Sequence, residues 1–147
     1  MLNNDYKDML SALREEKVKF LLVGAYAMAA QGYPRATMDI DIWIIASAEN
    51  ISAVMKALKR FGAPMHNISA EDFKSDDFVF QIGVAPRRID ILTSIDGLDF
   101  VTAFKNSCVV EVDGIAVNVL SKEDLIINKR ASGRTKDLAD VEELEKN

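Results

Sequence analysis

The stretch "MDIDIWII", residues 38–45, alternates carboxylates with branched and aromatic side chains. Ile40, Ile42 and Ile44 recur at every second position, the period of a strand with one face in a core. That period puts Asp39 and Asp41 together on the opposite face, about 6.6 Å apart at roughly 3.3 Å per residue. Two like charges so close on a half-buried strand repel, and each is costly if unpaired. The strand has no Lys or Arg of its own. Hard oxygen ligands in this arrangement suit Mg²⁺ or Mn²⁺. An Asp-x-Asp alone is common by chance, and its plainer reading is one aspartate capping a turn and one solvated.

A second segment shifts that balance. "RRIDIL", residues 87–92, places Asp90 between Ile89 and Ile91 on another strand. If the two strands are neighbours, Asp90 completes a three-carboxylate cage for two metal ions. Ahead of the pair, "VKFLLVG" reads as a buried strand ending at Gly24, and "AYAMAAQGY" as a helix of small residues stopped by Gly32 and Pro34. Free N–H groups and the positive end of that helix make a phosphate seat, which Gly24 and Ala25 leave unobstructed.

The rest of the chain supplies a mixed sheet and its covering helices. Amphipathic spacing predicts helices over "NNDYKDMLSALREEK", capped at Asn4 or Asp5, and over "AENISAVMKALKRFG", stopped at Gly62. Residues 63–77 have no clean period and read as a loop with one helical turn. "FVFQIGV" and "RRIDILTS" are strands, and "GLDFVTAFKNS" is a short helix. "CVVEVDGIAVNVL" is a hairpin turning at Asp113-Gly114, the pair favoured in type I′ turns. "SKEDLIINKRASG" opens close to a capping box and ends at Gly133, and "RTKDLADVEELEK" is a last helix. The expected class is α/β to α+β. A single domain spans 1–147, its mixed sheet within about 18–120 and two C-terminal helices within 121–147.

Composition narrows the function classes. Eighteen basic against 23 acidic residues give a net charge of −5, so a polyanion must meet a local basic cluster or neutralising metal. The single cysteine excludes an internal disulfide framework, the N-terminal residues have no apolar signal core, and no apolar run is long enough to span a bilayer. A cytoplasmic location without membrane contact is expected.

"LLVGAYAMAAQGYPRATMDIDIWI" resembles the signature of the polymerase-beta-like nucleotidyltransferase superfamily: a hydrophobic residue, Gly, Gly or Ser, a gap, then Asp-hydrophobic-Asp/Glu-hydrophobic. "RRIDIL" supplies the third carboxylate. With "QIGVAPRRIDILTSIDG" and "NKRASGRTKDLADVEEL", nearly the whole chain resembles a small bacterial branch related to abortive-infection and toxin-type nucleotidyltransferases. The resemblance implies transfer of a nucleoside monophosphate from an NTP to an RNA, protein or small-molecule hydroxyl. Asp39 and Asp41 would bind both metal ions, and Asp90 would hold the catalytic ion and help deprotonate the acceptor. Gly24 and the following amides would cradle phosphates. It further implies a toxin–antitoxin or phage-defence setting, with a cognate subunit or a homodimer supplying acceptor choice. Ala25 stands where Gly or Ser is usual and cannot donate a hydroxyl, so weaker nucleotide binding is expected. The competing function is a catalytically weak antitoxin or binding module on the same fold.

Other residues admit two readings each. Arg35 either reaches a phosphate or pairs with Asp39. Lys129, Arg130, Arg134 and Lys136 form the one notable basic cluster, suited to a triphosphate or an RNA acceptor, or to a solvated helix end. Asp137 and Asp140 orient that cluster or cap the last helix. Arg88 shares the face of Asp90 and can pair with it. Tyr26 and Tyr33 flank the phosphate seat, either stacking on a base or packing. His66 reads as surface structure and Cys108 as a small core residue.

Overall fold

A computed structural model describes residues 2–146; Met1 and Asn147, the ends of the expected 1–147 unit, lie outside the described residues. The elements run α1 (Asn4–Glu15), β1 (Phe20–Val23), α2 (Gly24–Ala30), β2 (Asp39–Ile44), α3 (Ala48–Phe61), β3 (Val79–Ile82), β4 (Arg88–Leu92), α4 (Phe100–Asn106), β5 (Cys108–Val112), β6 (Ile115–Val119), α5 (Lys122–Ser132) and α6 (Thr135–Glu145). A single 3₁₀ turn, Asp72–Lys74, is the only regular structure in the loop before β3. The sheet order is β3-β4-β2-β1-β6-β5. Strands β2 and β4 are parallel, as are β1 and β6, and the remaining pairs are antiparallel. This is the mixed α/β architecture expected, including the two C-terminal helices.

Local chemistry explains the boundaries. Asn3, one residue before the caps expected, accepts from the Tyr6 amide and starts α1. Ser47 caps α3 through the Asn50 amide, and Ser121 caps α5 through the Asp124 amide. Gly62 and Gly133 end α3 and α5 in the left-handed conformation that only glycine adopts without strain. Asp113 and Gly114 both take positive φ, joining β5 to β6 as a two-residue hairpin.

Ile40, Ile42 and Ile44 are fully buried on one face of β2. On the other face the carboxylates give way to Trp43, which packs edge-on against Phe100 of α4 at 5.1 Å between centroids. Helices α1 and α3 pack on each other, as do α5 and α6. Buried Asn50 ties three parts together: its side chain accepts from the Lys19 amide and donates to the carbonyls of Lys19 and Ile45. Asn50 thereby links the start of β1 to the end of β2, while β2 and β4 carry the carboxylates and Gly24 follows β1 directly.

Candidate active site

Strand register assembles the acidic cluster. In the parallel β2–β4 pair, Asp41 stands beside Asp90 and Asp39 beside Arg88, all on one face. One oxygen each from Asp39, Asp41 and Asp90 lies within 4.8 Å of the others. Asp90 is buried, while Asp39 and Asp41 are half-buried. On the far side of β2, Val23 pairs with Asp41, so the residue after it arrives at the same spot. Gly24 turns the chain there with φ +66°, and a Cβ on it would collide with Asp41 Oδ2 and lie 3.3 Å from Cγ. The missing side chain lets the Asp41 carboxylate lie against the backbone at Gly24, and Gly24 and Ala25 both line the open cleft.

A cation of the protein's own does reach the cluster, from β4 rather than β2. Arg88 donates from Nη2 to Asp39 Oδ2 at 2.6 Å, and from Nε and Nη2 to the two oxygens of Asp90 at 3.0 Å each. Its pairing extends past the Asp90 partnership read from the sequence to bridge two of the three carboxylates. Tyr6, buried on α1, donates its hydroxyl toward the carbonyls of Pro86 and Arg88, both at 3.1 Å, and so fixes the start of β4. Burial, then the neighbouring Tyr26 and Asp39, push the Tyr6 hydroxyl up to about 12, so it stays a donor.

Asp41 makes no ion pair among the described residues. Burial first, then the Asp39 and Asp90 charges, raise its carboxyl from 3.8 to about 7. The folded value exceeds the unfolded one, so the metal-free protein is favoured by Asp41 below pH 4 and loses that stabilisation as pH rises to about 7. Asp41→Asn removes the charge. At about 1.4 kcal/mol per pKa unit, discounted for residual solvation, it is expected to stabilise the metal-free protein by about 2 kcal/mol at pH 8, or about 5 °C. At pH 4 the gain should vanish. Thermal melts in chelator at the two pH values check this; equal midpoints at pH 8 would mean Asp41 is not strained.

The opposite wall of the cleft is basic and belongs to α5 and α6. Lys129 is buried, its Nζ 2.9 Å from Asp140 Oδ2 and 3.6 Å from Asp137 Oδ1. Arg134 Nε donates to Asp137 Oδ2 at 2.7 Å. Arg35 pairs with Asp140 and, at 2.7 Å, with Glu143. Burial works to raise the Asp140 carboxyl, but the hydrogen bonds from Lys129 and Arg35 outweigh it and hold the group below its usual range. Asp137 and Asp140 therefore orient the cluster; neither caps α6. Between the walls lies a cleft of about 500 Å³, within the size range of small-molecule sites.

Of the residues read from sequence as metal or nucleotide contacts, Gly24, Ala25, Arg35, Asp39, Asp41, Asp90, Lys129, Arg134 and Lys136 line this cleft. Their partners differ from expectation in one case. Arg35 does not pair with Asp39, because the irregular segment between α2 and β2 carries it to α6 instead. Arg130 turns away to pair with Glu145. Tyr26 and Tyr33 are not among the cleft-lining residues; Tyr26 packs edge-on against Tyr6, and Tyr33 carries Lys122 over its ring at 5.9 Å. His66 is exposed, as read. Cys108 is also exposed, contrary to the core position expected, because β5 is an edge strand. Sequence reasoning missed Thr37, whose hydroxyl lies 3.3 Å from Asp39 Oδ1; no periodicity marks it.

A mixed sheet with clustered carboxylates on adjacent central strands defines a nucleotidyltransferase-type fold. The chain belongs to the DUF6036 family, nucleotidyltransferases of unknown function, which it matches over residues 2–145. Among solved structures it is similar to TM1012 of Thermotoga maritima, assigned as a nucleotidyltransferase, at 22% identity and TM-score 0.62, covering 99% of this chain and 94% of that one. It is also similar to ANT(2″)-Ia, solved in complex with adenylyl-2″-tobramycin, at 17% identity and TM-score 0.60, covering 95% and 84%. None of the curated proteins matches the sequence significantly. Three carboxylates offering hard oxygen donors around one point, one of them lacking an ion-pair partner, are a donor set that fits Mg²⁺ or Mn²⁺. No helix among the described residues is long and apolar enough to cross a membrane.

Proposed function

We propose that this protein is a metal-dependent nucleotidyltransferase that moves a nucleoside monophosphate from an NTP to an acceptor hydroxyl, with release of pyrophosphate. The observation that carries this reading is the convergence of Asp39, Asp41 and Asp90 across a cleft from the cationic face of α5 and α6. Asp39 and Asp41 would hold both divalent ions, and Asp90 the one nearer the acceptor. When bound, the ions polarise the α-phosphate and offset charge developing on the leaving pyrophosphate.

The chain's own residues do the rest by position and charge. Asp90 lies next to Asp41 and is the candidate for drawing the proton from the acceptor hydroxyl. Lys136 makes no ion pair among the described residues and lines the cleft, so its ammonium is available to a phosphate. Lys129 and Arg134 are balanced by Asp137 and Asp140, which fixes the shape of that wall and leaves Lys136 to give it positive potential. In-line geometry then comes from holding the triphosphate between an acidic and a basic wall. The acceptor is an RNA, protein or small-molecule hydroxyl; the likeness to ANT(2″)-Ia makes an aminoglycoside a concrete small-molecule case to try.

A second reading, a catalytically weak module acting through a partner such as a toxin or antitoxin subunit, has two features in its favour. Ala25 offers no hydroxyl, and Arg88 already neutralises part of the acidic cluster. Incubation with Mg²⁺ or Mn²⁺ and each NTP labelled at the α- or γ-phosphate, with tRNA, cell lysate and an aminoglycoside as acceptors, separates the two. Transfer of the α-label but not the γ-label is expected. Failure of every NTP and acceptor to take label, with no thermal shift from metal plus NTP, would leave the binding module.

A further inference from the structure

Arg88 sits where two demands meet. Its parallel register with Asp39 and its shared face with Asp90 put one planar cation between both carboxylates. It occupies both oxygens of Asp90 and one of Asp39 at 2.6–3.0 Å. Any ion drawing one oxygen from each of the three aspartates must therefore use an atom of Asp90 that Arg88 already engages. The arginine side chain is 35% exposed, so its guanidinium can swing into the cleft without unpacking the core. Charge sets the occasion. Three carboxylates exceed one guanidinium, whereas a pair of divalent ions added to Arg88 would exceed the carboxylates, and a triphosphate supplies the missing negative charge.

We infer that Arg88 is a resident counter-cation that makes metal binding depend on nucleotide. In the metal-free protein it pairs with Asp39 and Asp90 and competes with any free ion for their oxygens. When metal arrives with its nucleotide, Arg88 releases Asp90 and transfers its guanidinium to the phosphates. Arg88 is thus a positioning residue, acting through the metal ligands. The inference rests on the cleft being the NTP site proposed above.

The test is Mn²⁺ binding followed by electron paramagnetic resonance, with and without a non-hydrolysable NTP analogue, on the unmutated protein, Arg88→Met and Arg88→Lys. In the unmutated protein the analogue should tighten Mn²⁺ binding by about tenfold or more, a typical coupling between linked sites. Arg88→Met should bind free Mn²⁺ about tenfold more tightly than the unmutated protein, with the gain from the analogue reduced to about threefold or less. Arg88→Lys keeps a charge but loses the two-pronged grip on Asp90, and should fall between them. A purely structural role would weaken Mn²⁺ binding equally with and without the analogue. If Arg88→Met does not fold, Arg88→Lys carries the same comparison. Free Mn²⁺ bound no more tightly by the variants, with the nucleotide gain intact, overturns this inference alone. Absence of Mn²⁺ binding by the unmutated protein even with the analogue overturns it together with the nucleotidyltransferase reading.

Discussion

Asp90→Asn is expected to lower nucleotidyl transfer by at least about 10³-fold while the protein stays folded. Asparagine matches the shape of aspartate, so the seat between Ile89 and Ile91 is undisturbed. What disappears is a buried negative charge and the group placed to receive the acceptor's proton. Relief of repulsion on Asp41 opposes loss of the Arg88 ion pair, so the metal-free melting midpoint should move by only a few degrees. Arg88 keeps its 2.6 Å contact with Asp39, which limits collapse of the cluster. The measurement is label transfer alongside a thermal melt. A variant that retains more than a tenth of the unmutated rate would remove Asp90 from the proposed chemistry.

Lys129→Met acts on the opposite wall and through stability. Lys129, Asp137 and Asp140 are all nearly inaccessible to solvent. Deleting one member of a buried ion pair strands the other, a loss of about 3–5 kcal/mol. Arg35 and Arg134 remain on the same two aspartates, so the lower end, about 3 kcal/mol, is expected. That corresponds to a fall of about 9 °C in melting midpoint, read by calorimetry or circular dichroism. Lys136→Met provides the contrast. Without an ion pair to lose, it should leave stability within about 0.5 kcal/mol and act on the KM for NTP instead. Equal destabilisation by both variants would show that burial of Lys129 is not what ties α6 to α5.

Patterning read along the chain captured the acidic wall better than the basic one, for physical reasons. Period-two alternation in "MDIDIWI" and "RIDIL" fixes which side chains share a face, and two strands of that kind have few ways to sit in a sheet. The glycine stops at Gly62 and Gly133, the hairpin at Asp113-Gly114 and the cap at Ser121 are local chemistry and coincide with the observed boundaries. Partner choice between distant elements is another matter. Nothing in the spacing of Arg35 shows that it crosses to Asp140, 105 residues on, instead of turning to Asp39. Cys108 fails for a related reason: alternation marks a face of β5, but only the strand order shows that β5 has a neighbour on one side alone. Arg88 was visible as a partner of Asp90, yet its reach to Asp39 depends on the parallel register of β2 and β4.

The two walls of the cleft are secured by different forces. The aspartates ride on backbone ladders backed by isoleucines that water never reaches, so ionic strength leaves their spacing alone. Helix α6 is held in part by contacts such as Arg35 to Glu143 and Arg130 to Glu145, which face solvent and fade as counterions screen them. Rising salt should therefore loosen only these outer ties of α6, while the buried Lys129 pairs and the opposite jaw of the vice stay put.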